Sequence, residues 1–133
     1  AEQGLDFNSE IIAQVLEHEG SADGGVYKVS IPRAAPISED GMALPAGMGA
    51  EIAINFQSAG GDEAATTGDF VLTAGEVNPV LRALRDNDIE VTALHNHMLE
   101  EEPRLFFMHF WGVGAPEALA RGLKSALDLV NVQ

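Results

Sequence analysis

Three of the four histidines, His95, His97 and His109, fall within fifteen residues. Imidazole is the commonest transition-metal ligand, because its neutral ring nitrogen is a borderline donor available near neutral pH. Three imidazoles with a fourth position left open describe catalytic zinc sites, and the same set suits copper, nickel or iron. Side chains on a strand alternate, so His95 and His97 share a face wherever this stretch is extended. Both flanks of the acidic Glu100–Glu101–Glu102–Pro103 segment read as extended apolar chain, which predicts a β-hairpin with that segment as its loop. A loop from Leu99 to Pro103 sets Met98 opposite Arg104 and His97 opposite Leu105. Odd-numbered residues then share one face across both strands, and His109 joins the other two histidines. The predicted face carries Val91, Ala93, His95, His97, Leu105, Phe107, His109 and Trp111. Leu94, Met98, Phe106, Met108 and Phe110 lie on the other.

Diagonal neighbours across a hairpin are roughly 7–8 Å apart, close enough for inward-reaching imidazoles to converge on one ion. An oxygen ligand or general base is available from Glu76, Asp69 or the run Glu100–Glu102, with Glu76 the first choice. Glu76 has a structural competitor, the return half of a capping box with Thr73. The competing reading of the histidines is a set of hydrogen-bonded core side chains. Three on one face favour the metal, since several unpaired buried polar groups would be costly. Both faces of the second strand are apolar, which predicts a partly closed pocket on the histidine side. Met98 and Met108 are expected to fill the core, whereas Met42 and Met48 sit in a loop free to reach the site.

Composition narrows the function classes. The chain of 133 residues has a net charge of −14 and no cysteine. One domain spanning 1–133 is expected. Disulfides, thiolate metal sites and a cysteine nucleophile are excluded. Only seven Lys and Arg oppose 21 Asp and Glu, which argues against nucleic-acid binding. The negative field either concentrates cations at the surface or serves solubility in a salt-adapted protein. No apolar run approaches the ~20 residues of a membrane span. The start Ala1–Glu2–Gln3, without methionine, reads as a mature end left by signal-peptide removal.

The elements that must position the histidines are predicted as α-β-β-β-α-β-β-α. A first helix runs from an Asn8 N-cap, with Phe7 and Ile12 as a hydrophobic staple, to Gly20. His18 falls in its last turn, where a cationic imidazole suits the helix dipole. Gly24–Gly25 turns into a strand over 26–31 that Pro32 halts. Residues 33–49 form a long Pro- and Gly-rich loop, either a binding loop or a surface excursion. A strand over 51–57 buries Ile52, Ile54 and Phe56, and a second returns from Thr66 to Leu72 with Gly68 marking a bulge or a close approach. The next helix starts at Thr73 or, with Pro79 at its first position, at Asn78. A last helix follows Pro116. The fold class is α+β: an antiparallel sheet of about five strands with helices packed on one face.

Val26–Tyr27–Lys28–Val29–Ser30–Ile31–Pro32–Arg33, Thr67–Gly68–Asp69–Phe70–Val71–Leu72, Glu76–Val77–Asn78–Pro79–Val80, Val91–Thr92–Ala93–Leu94–His95–Asn96–His97 and Arg104–Leu105–Phe106–Phe107–Met108–His109 together resemble the LppY/LpqO-like family of exported bacterial proteins. The family implies export, often as a lipoprotein. With no cysteine to lipidate, a periplasmic or secreted protein is expected. Longer members carry two such units, so a single unit implies self-association as a homodimer. Two functions stand: a binding protein for one copper or zinc ion at His95, His97 and His109, or a small metalloenzyme, hydrolase or oxidoreductase, with an open position at the same site. In the second, Glu76 is the candidate general base and a small-molecule ligand is expected beside Phe107 and Trp111.

Overall fold

A computed structural model describes residues 7–34, 38–39, 42–43, 51–96, 101–102 and 105–132. Its elements are α1 (Ser9–Leu16), β1 (Ser21–Asp23), β2 (Val26–Pro32), β3 (Ser38–Glu39), β4 (Met42–Ala43), β5 (Glu51–Gly60), β6 (Glu63–Thr73), α2 (Ala74–Asp86), β7 (Glu90–Asn96), β8 (Glu101–Glu102), β9 (Leu105–Gly114) and α3 (Pro116–Leu127). A six-stranded antiparallel sheet has the order β1-β2-β5-β6-β9-β7, and β4-β3-β8 make a small second sheet. This is the α+β architecture expected, with the three helices of the described residues on one face. Two details differ. Ser21–Asp23 adds an edge strand across the Gly24–Gly25 turn. Glu101–Glu102, expected in a free loop, instead pairs with Ser38–Glu39 from the predicted 33–49 loop. His97, Met98, Glu100, Pro103, Arg104 and Met48 lie outside the described residues, as does the Met98–Arg104 pairing.

The sheet's two faces do different work. Val29, Ile54, Gly68 and Phe110 form a cross-strand row on the helix side. Ile31, Ile52, Phe56, Phe70 and Met108 are buried with them, under Val80, Leu84, Leu119 and Leu123 of α2 and α3. Gly68 is a close approach, not a bulge: a Cβ there would lie 1.9 Å from the Ala53 carbonyl oxygen. The irregularity falls between Ser58 and Gly60.

Asn8 caps α1, its Oδ1 accepting the Glu10 N–H at 3.0 Å, and Phe7 and Ile12 are buried as the staple requires. The helix stops at Leu16, earlier than Gly20, because Glu17 takes the left-handed conformation at φ 62° and returns its N–H to the Ala13 carbonyl. His18 therefore lies beyond the last turn, with its Nδ1 3.0 Å from the Leu16 carbonyl oxygen. Thr73 is the N-cap of α2, and Pro79 is accommodated inside the helix. No helix of the described residues is long and apolar enough to cross a membrane.

Candidate metal centre

The site is built on the face opposite the helices. β7 and β9 pair as Ala93↔His109, Leu94↔Met108, His95↔Phe107 and Asn96↔Phe106. This is the register expected from the sequence, although the His97–Leu105 pair that would continue it lies outside the described residues. One correction applies at the other end. Val91 pairs with Phe110 and Glu90 with Trp111, so the ladder shifts between Val91 and Ala93. Thr92 is the extra residue of a β-bulge, which reverses the alternation and sends Val91 to the helix side.

Pairing of β6 with β9 then adds a group from elsewhere in the chain. Ser30, Ala53, Asp69, His109 and Ala93 form one row across five strands. The Asp69 carboxylate makes an ion-pair contact with His109 Nδ1. Asp69 Oδ1 is shut off from solvent and, among the described residues, has no hydrogen-bond partner beyond this contact of opposite charges. His109 Nε2 faces His95 Nε2 at 3.2 Å, and His95 Nδ1 lies 2.9 Å from the Asn96 carbonyl oxygen.

His95 Nδ1 meets a carbonyl oxygen, which can only accept, and so carries its hydrogen, and the Nε2 of a neutral His95 ring then presents a lone pair towards His109. The 3.2 Å approach of the two Nε2 atoms is favourable when a proton or a cation lies between them. Two nitrogens each ~2.0–2.1 Å from one tetrahedral ion would be about 3.3 Å apart, close to the separation found. A carboxylate on the far nitrogen of a ligating imidazole is the usual outer partner, fixing the ring and raising its basicity. The two Nε2 atoms are thus spaced as two ligands of one ion would be. Among the described residues, no group of three or more His, Cys, Asp or Glu side chains is placed to hold a metal ion.

Glu76, the first choice for a further ligand or base, is committed elsewhere. Its Oε1 accepts from Arg33 Nη1 at 2.8 Å and from the Thr73 N–H at 2.8 Å. Oε2 accepts from Arg33 Nη2 and the Asn131 N–H, each at 3.1 Å. Burial pushes this carboxyl up, but the hydrogen bonds from Arg33, Thr73 and Asn131 and the guanidinium charge outweigh it and hold it below its ordinary value. The capping-box alternative accounts for Glu76, and Asp69 is the carboxylate that meets a histidine. Sequence spacing offered no way to prefer Asp69, since its partner strand is separated from it by α2, β7 and β8.

Among the described residues the site face is graded, closed at the Val71 and Leu105 end and open towards Trp111. Along the site face of β9 exposure rises from buried Leu105 through half-buried Phe107 and His109 to Trp111, which is 40 % exposed. Thr92 to Asn96 of β7 are all exposed. The physical reason is topological: β7 is the sheet's edge, and the helices lie on the other face.

Residues 10–129 match the family model described as Domain of Unknown Function (DUF1259), and the chain belongs to that family. No curated protein and no solved structure matches the chain.

Proposed function

We propose that this member of the family binds one transition-metal ion, copper or zinc, through His109 and His95, with His97 as the third imidazole and Asp69 as the outer carboxylate on His109. The observation that supports this reading most is the pair of Nε2 atoms facing at 3.2 Å while both Nδ1 atoms are engaged. Borderline imidazole donors with a carboxylate behind one of them suit Zn²⁺ or Cu²⁺. Glu76 is left out of the site. The quoted motifs support naming the family as LppY/LpqO-like, and with it an exported, periplasmic or secreted protein that self-associates.

Elemental analysis by plasma mass spectrometry tests the proposal. About one equivalent of copper or zinc is expected in the parent, and none in a His95→Ala/His109→Ala variant. Loss in a His97→Ala variant as well supports the third ligand. A parent that holds no metal after incubation with either ion would sink the proposal.

The metalloenzyme reading draws on the same Asp69–His109 contact, since a carboxylate in that place can orient an imidazole for proton transfer. It requires an exchangeable position. Azide added to the Co²⁺-substituted protein would alter the visible spectrum if that position is open, and would leave it unchanged in a saturated carrier site.

A further inference from the structure

His95 projects from an edge strand whose residues 92–96 are all exposed. Among the described residues the Asn96 carbonyl oxygen meets its Nδ1, His109 meets its Nε2, and the Phe107 ring packs against it. Phe107 stands directly across the strand pair from His95. Their rings are 5.2 Å apart at 89°, edge to face, and Phe107 also meets the His109 ring at 6.3 Å and 66°. Phe107 is itself anchored: on its other side β9 pairs it with Val71, which is fully buried. One half-buried aromatic ring thus touches both imidazoles from the covered end of the site face.

Resting on the metal-binding reading, we infer that Phe107 is a positioning residue: it holds His95 in the rotamer that opposes His109. An exposed imidazole on an edge strand would otherwise sample several rotamers, and ordering it would draw on the binding free energy. The edge-to-face contact supplies that order before the ion arrives.

Cu²⁺ titrated into the parent, Phe107→Leu and Phe107→Tyr, with the electron paramagnetic resonance spectrum of each loaded form, tests this. Leucine fills the half-buried space without an aromatic edge, so roughly three- to tenfold weaker binding and a shifted spectrum are expected. Tyrosine keeps the ring and should restore both. A Phe107→Leu variant with the parent's affinity and spectrum overturns the role of Phe107 and leaves the metal site standing. A parent that binds no Cu²⁺ overturns the metal site and this role together.

Discussion

At the residue scale, Asp69 and Glu76 separate two jobs that carboxylates do in this chain. Asp69 backs His109 without needing to touch the ion, and outer partners of this kind are worth about 10- to 100-fold in metal affinity. An Asp69→Ala variant should therefore bind zinc or copper about that much more weakly, yet still at one equivalent, as followed by calorimetric titration. Glu76→Gln should leave metal affinity unchanged and cost stability instead. It removes the ionised partner of Arg33, which is only 7 % exposed, and breaking such a pair costs about 3–5 kcal/mol. The pH dependence has a defined sign. Because the folded carboxyl is held below its ordinary 4.5, its contribution is complete above that value and is lost as pH falls through the lower folded one. Urea midpoints measured from neutral pH down through the acid range should drop more steeply for the parent than for Glu76→Gln.

At the scale of elements, the hairpin register was legible because two apolar strands flank one acidic segment, and that alone fixes which residues oppose one another. His95 and His109 share a face for that reason. The bulge at Thr92 was not legible: alternation carries Val91 onto the histidine face, whereas its packing against the helices decides otherwise. Asp69 was legible only as one of several carboxylates, since strand order and not spacing puts β6 beside β9. The small sheet formed by β3, β4 and β8 was hidden too, because two-residue strands leave no periodicity to read. Deleting Thr92 should give a regular ladder with Ala93 still opposite His109, so metal binding should persist. Inserting one alanine between Ala93 and Leu94 turns His95 to the opposite face, and binding should be lost with the fold retained. Circular dichroism beside the metal titration distinguishes the two outcomes. Gly68→Ala tests the sheet itself: its Cβ would meet the Ala53 carbonyl oxygen, and a loss of about 3 kcal/mol in urea unfolding is expected, the upper end of overpacking costs.

At the scale of the whole molecule, the sheet is covered by helices on one face and carries the histidines on the other, with the site near an open edge. The net charge of −14 gives the molecule as a whole a field that attracts cations. Association of Zn²⁺ or Cu²⁺ should accordingly slow as sodium chloride is raised, because added salt screens that field. The measurement closest to the central claim uses Trp111, the chain's single tryptophan. It lies two residues from His109 along the site-bearing strand, and same-face neighbours on a strand are about 7 Å apart. Cu²⁺ at the histidine pair should quench its fluorescence, saturating at one equivalent. The quenching should be reversed by a chelator and be absent from the His95→Ala/His109→Ala variant. Quenching that runs past one equivalent without a break, or that survives in the double variant, would contradict a copper site at these two imidazoles.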